Sequence, residues 1–148
     1  MATPTSIELL LALTVRECEE AIKQLGNAVR SSNESQEKND LLVSRRGEYV
    51  VQLQMLLSDG INMQQHINHR AFIKDLDRAI ARQTQICLTE LAKVVTETQV
   101  WQQCEYNRLK YKTLSNRATA LLKKAELRQE QRDTDEFASR NRIIRTKY

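Results

Sequence analysis

Two histidines and three cysteines have the widest chemical range of any residues in this chain. His66 and His69 stand at i and i+3, close enough for both imidazoles to meet one ligand. Two donors do not close a metal site, and Cys18 and Cys104 stand far from them in the chain, so no metal is expected and both read as surface loop histidines. Cys18, Cys87 and Cys104 are odd in number and include no CxxC pair. That pattern sets aside zinc and thioredoxin-type chemistry and suits a reducing, cytosolic compartment. Each cysteine lies among apolar neighbours, where it packs as a small hydrophobe. No GK[ST] occurs and only 3 glycines are present, so no loop is expected to cradle a phosphate. No local signature of a Ser/His/Asp or Cys/His arrangement is found either. The expectation is a protein with no catalytic residues and no cofactor, which acts by binding.

The elements that would present a binding surface are legible in the composition. The chain has 148 residues with 3 Gly, 1 Pro and 5% aromatics, too few turn residues for more than one or two chain reversals. Long helices with a narrow apolar seam are expected, because Leu, Val, Ile and Ala dominate the 41% hydrophobic content. The longest apolar run, Leu9 to Leu13, is far short of the roughly 20 residues that a membrane-spanning helix needs. The N-terminus lacks the basic stretch of a signal peptide, so a soluble protein is expected.

Helix 1 is expected over about residues 5–58. Thr5 and Glu8 make a capping box, with Pro4 just outside it. An alternating step of four and three selects Leu11, Val15, Cys18, Ile22, Leu25 and Val29 as its seam. The same register reaches Val43, Val50, Leu53 and Leu57, with Ser32, Gln36, Asn39 and Arg46 as polar seam members. A repeat of 3.5 residues kept this long argues for a coiled coil. The polar run Ser31 to Asp40 is read as continuing the helix, since the seam keeps phase across it. Ser58-Asp59-Gly60 reads as the end, with Gly60 as a left-handed cap. Residues 59–69 are read as the reversal and about 70–140 as helix 2, with Ile73, Leu76, Ile80, Cys87, Leu91, Val94, Thr98 and Trp101 in its seam.

If the chain folds back near residue 65, facing residues should have numbers totalling about 130, because both helices rise equally per residue. Leu57 then meets Ile73, Leu53 meets Leu76, Val50 meets Ile80, Val43 meets Cys87 and Val29 meets Trp101, and the three cysteines stay well apart. The fold class is therefore all-α, a long antiparallel two-helix coiled-coil hairpin forming one elongated domain. Helix 1 would start opposite about residue 125, which leaves the basic tail, 126–148, unpaired or bound to a partner.

Charge is placed unevenly. Residues 101–148 hold 12 Lys/Arg against 6 Asp/Glu, while residues 1–100 hold 11 against 13. The basic end suits an acidic protein surface, nucleic acid or anionic lipid. A solvated helix end whose cations complement the helix dipole explains it equally well. Nothing beyond charge matches a nucleic-acid reader, so no nucleic-acid partner is expected.

One block is more specific. Gly60-Ile61, Ile67-Asn68, Phe72-Ile73, Leu76 and Ala79-Ile80 resemble the signature region of the flagellar FliJ family. So do Glu48-Tyr49 upstream and Asp135-Glu136-Phe137-Ala138 followed by Arg140. The likeness runs over roughly residues 45–145. It implies a cytoplasmic, non-enzymatic stalk of the flagellar type III export apparatus, with a fold similar to the central stalk of rotary ATP synthases. It implies three partners: the FliI ATPase hexamer, which holds the end with both termini, the linker of the FlhA export gate, and export chaperones. Attachment to the inner membrane would then be peripheral, through the gate. Carried over by position, the gate contact falls on Leu42, Tyr49, Phe72, Leu76 and Ala79. The ATPase contact falls on Phe137, Arg140, Arg142 and Arg145. This chain departs from the family where His66 and His69 replace aromatics and Gln83 replaces a histidine. An escort chaperone for export subunits and a generic coiled-coil scaffold stand as the alternative readings.

Overall fold

The computed structural model describes residues 4–147. It contains two α-helices, α1 (Pro4–Asp59) and α2 (Met63–Thr146), packed against each other with no strand among the described residues. The all-α expectation holds. Pro4 is the first helical residue rather than a flanking one, so Thr5 lies inside α1 and the expected capping box does not mark its boundary. Proline suits that place, since the N–H it lacks would have no intrahelical acceptor there. The polar run 31–40 is helical throughout, and Gln36 Nε2 donates to Asp40 Oδ1 one turn on at 3.0 Å.

The reversal is much shorter than the sequence suggests. Only residues 60–62 separate the helices, not 59–69. Gly60 ends α1 at φ 85°, a conformation that L side chains rarely adopt. Asn62 starts α2: its Oδ1 accepts the Gln65 N–H at 2.8 Å and its carbonyl accepts the His66 N–H at 3.2 Å. This N-cap lets the aperiodic stretch 63–69 enter the helix. His66 and His69 are therefore half-buried residues on α2 rather than loop histidines.

A centre at Ile61 instead of residue 65 moves the expected total for facing residues from 130 to about 122. The contacts agree. Tyr49 stacks on Phe72, Arg46 pairs with Asp77, and Cys18 meets Cys104. Val43 does not share a layer with Cys87, which lines a cleft with Ser32, Gln36 and Asn39.

The chain forms two compact units: residues up to 18 with 103 onward, and residues 19–102. In the first, α1 buries Ile7, Thr14 and Cys18, with Leu11 half-buried, against the half-buried Cys104, Arg108, Tyr111, Ser115 and Ala118. Thr14 hides its hydroxyl by donating to the Leu10 carbonyl at 2.8 Å. Every residue from 119 to 147 is exposed. The register explains this: Pro4 faces about residue 118, not 125, so α1 has nothing to set against the rest of α2.

In the second unit the less exposed face of α1 carries Ala21, Leu25, Ala28, Ser32, Ser35, Asn39, Leu42, Arg46, Tyr49, Leu53 and Leu56. The facing stripe of α2 runs at steps of three and four from His66 to Trp101. Four of the ten apolar residues expected in the α1 seam are thus displaced by one residue. Ile22, Val29, Val43 and Leu57 are exposed, and Ala21, Ala28, Leu42 and Leu56 take their places. On α2, Glu90 replaces Leu91 in the same way. The phase chosen places small residues at several layers, and small residues let two helices approach closely. Gln83 spans one polar layer, donating to the Ser35 carbonyl at 3.0 Å, while Asn39 Oδ1 is buried without a hydrogen-bond partner.

Candidate functional site

Three places carry the chemistry that this chain offers. The first lies near the reversal. Tyr49 occupies the seam, and its ring meets that of Phe72 at 4.6 Å between centroids with a 52° tilt. This tilted arrangement is worth about 1 kcal/mol beyond area burial. Phe72 remains 42% exposed, while Leu42, Leu76 and Ala79 are half-buried. The five residues assigned to the gate contact are thus split by the structure. Leu42, Tyr49, Leu76 and Ala79 take part in packing between helices, and Phe72 alone among them is classed as exposed. The Arg46–Asp77 ion pair bridges the helices nearby, and both of its side chains stay partly solvated.

The second place is the α2 segment 119–147. It exposes Leu121, Leu122, Leu127, Phe137, Ile143 and Ile144, six large apolar side chains that no described residue buries. Helical spacing puts Phe137, Arg140 and Ile144 on one strip, and Arg142 with Arg145 on another. The four residues assigned to the ATPase contact therefore do not share a single face. Arg132, Asp135, Glu136 and Arg140 line a shallow hollow that also touches Ser139 and Ile143. The face is mixed in charge rather than purely basic.

The third place was hidden by the register expected from the sequence. Cys18 is 5% exposed, and half-buried Cys104 lies near enough to weigh on its thiol. Next to them Arg108 grips Glu105: Nη2 donates to Oε2 at 2.8 Å, and Nε reaches both oxygens at 3.1 and 3.2 Å. The guanidinium hydrogen bond holds the Glu105 carboxyl below the usual range, with a smaller contribution from the Cys18 thiol. Burial pushes the Cys18 thiol up, and the neighbouring Cys104 and the Glu105 charge push it further. Sequence reasoning missed this cluster because it placed the cysteines far apart. A reversal centred on Ile61 would have brought Cys18 and Cys104 into one layer. Cys87 lies in the other unit. No group of three or more metal-ligating side chains occurs among the described residues. No helix among them is long and apolar enough to cross a membrane.

Two long packed helices, the longer of which exposes large apolar side chains beyond the end of the shorter, define an all-α fold. The flagellar FliJ protein family matches residues 4–147, and the chain belongs to that family. It is 31% identical over 141 residues to a flagellar FliJ protein of Salmonella typhi, covering 95% of each chain. It is 29% identical over 140 residues to one of Escherichia coli (strain K12), again covering 95% of each. Among solved structures it is similar to CT670 of Chlamydia trachomatis, described as a YscO homolog. The TM-score is 0.72 at 15% identity, over 98% of this chain and 94% of the other. At that identity the likeness speaks for the fold alone. Family membership makes the chain a component of flagellar protein export.

Proposed function

We propose that this chain is the non-enzymatic stalk of the flagellar type III export apparatus, holding the FliI ATPase ring at one end and the FlhA export gate at the other. The observation that carries the reading is the exposed segment of α2, in which Leu127, Phe137, Ile143 and Ile144 stand among arginines with no described residue covering them. Large apolar side chains beside Arg are what protein interfaces use as anchors. A helix docked into a ring of subunits needs no catalytic residue, since it can favour one arrangement of its neighbours over another and so promote assembly or couple hydrolysis to gate opening. Export chaperones are further partners, and association with the inner membrane is peripheral, through the gate. In this reading the exposed edge of Phe72 is what the gate linker touches, while Tyr49 holds the ring in place from behind.

The test uses the full-length chain with its cognate ATPase. The wild type should raise the hydrolysis rate and promote rings. Phe137→Asp with Ile144→Asp should abolish both effects while leaving helix content and thermal stability unchanged, since both residues are fully outside the seam. Stimulation that persists in this double variant and in a chain shortened after Ala118 would remove the tail from the mechanism. An unaltered ATPase, together with tight binding of export subunits, would favour the escort chaperone.

A further inference from the structure

We propose that Cys18 and Cys104 form an intramolecular disulfide by exchange with a small-molecule disulfide such as oxidised glutathione, and that the bond locks the first turns of α1 onto α2. Three observations meet here. Cys18 and Cys104 belong to one compact unit and face each other from α1 and α2, near enough for Cys104 to raise the Cys18 thiol. The pairing totals 122, the register that a reversal centred on Ile61 imposes, so the contact belongs to the fold and not to a chance side-chain approach. Access differs between the two residues, since Cys18 is buried and Cys104 is half-buried, so Cys104 is the one a small reagent meets first.

That division sets the order of the steps. The Cys104 thiolate attacks one sulfur of the small disulfide, forms a mixed disulfide and expels one thiolate, which takes up the proton that Cys104 gave up. The Cys18 sulfur, freed of its proton, then attacks the Cys104 sulfur. The new S–S bond forms, the second small thiolate leaves, and it carries the second proton. Two protein thiols are oxidised, one small disulfide is reduced to two thiols, and no other reagent is consumed. Cys87 lies in the other compact unit and remains a thiol.

The bond acts where α1 is most in need of anchoring. Segment 4–18 holds to α2 through only a few buried residues, Ile7, Thr14 and Cys18, while Leu9, Leu10 and Leu13 face outward. In the reduced protein this segment can separate from α2, and a covalent link at Cys18 prevents it.

The full-length reduced chain is incubated with a graded series of reduced and oxidised glutathione, quenched with acid, alkylated and mapped by mass spectrometry. The expected product is a monomer with one remaining free thiol, at Cys87, and a linked pair of peptides containing Cys18 and Cys104. Adding reductant returns all three thiols. Amide exchange in residues 4–18 should slow at least several-fold in the oxidised form. Cys87→Ser should behave as wild type, and Cys104→Ser should yield no intramolecular link. A stable glutathione adduct on Cys104 without closure, a disulfide dimer, or a link through Cys87 as abundant as that through Cys18 would each overturn the proposal.

Discussion

The displaced seam makes a sharp prediction at two adjacent residues. Ala21 is 6% exposed and Ile22 is 49% exposed, although apolar patterning alone assigns the seam to Ile22. Replacing a core isoleucine by alanine costs about 2–5 kcal/mol. Full burial of such a side chain is worth about 1.5–3 kcal/mol, so half-burial puts roughly 1 kcal/mol at stake. Alanine returns a few tenths of a kcal/mol (roughly 0.4) through its higher helix propensity. Ile22→Ala should thus cost under about 1 kcal/mol. Ala21→Leu adds three carbons to a closely packed layer, which the register shares with Trp101, and should cost about 1–3 kcal/mol. The unfolding entropy is about 2.1 cal/mol/K per residue, so 148 residues give roughly 0.3 kcal/mol/K and each kcal/mol moves the Tm by about 3 °C. Circular dichroism melts should show a fall of less than about 3 °C for Ile22→Ala and of about 3–10 °C for Ala21→Leu. A fall above about 6 °C for Ile22→Ala, with Ala21→Leu neutral or stabilising, would refute the register described here and restore the alternative phase.

Other substitutions test the ends and the interior of the helices. Asn62→Ala removes the side chain that caps α2 and should lower stability by about 0.5–2 kcal/mol, read from the same melts, with Asn62→Asp retaining most of it. Gly26 and Gly47 sit mid-helix with open space where a Cβ would go, so Gly26→Ala and Gly47→Ala should each stabilise by up to about 1 kcal/mol and add to one another. The Cys18 thiol is raised above its ordinary value of 9.0 by burial and its neighbours, so the unfolded chain loses this proton first as pH rises. Its contribution is then complete below about pH 9 and disappears as pH passes through the raised folded value. Under reducing conditions the wild type should therefore lose more Tm between neutral and strongly alkaline pH than Cys18→Ala does. A Tm difference between the two that does not change with pH would contradict this.

Much of the fold can be read from local residue types. The scarcity of Gly and Pro required long helices, Ser58-Asp59-Gly60 marked the end of the first, and Gly60 adopts the positive φ that its lack of a Cβ permits. The apolar face of the tail was legible too, because Phe137, Ile143 and Ile144 recur in a polar context. The Asn62 cap was not read, since a single asparagine after a glycine looks like more loop until its Oδ1 finds the Gln65 N–H.

The sequence by itself determined the two long helices, the end of the first at Gly60 and the family, because each rests on backbone propensity or on residues close together in the chain. Which stripe of α1 faces α2 was decided only by the tertiary structure. The positions three and four residues on from a seam residue flank it almost equally on a helix, so hydrophobicity favoured Ile22 and Val29, whereas close approach of the second helix favoured Ala21 and Ala28. The layer pairing was likewise decided across the interface. Four residues of error in the centre of the reversal displace facing partners by eight, enough to separate Cys18 from Cys104 on paper while the register of the folded chain puts them in one layer.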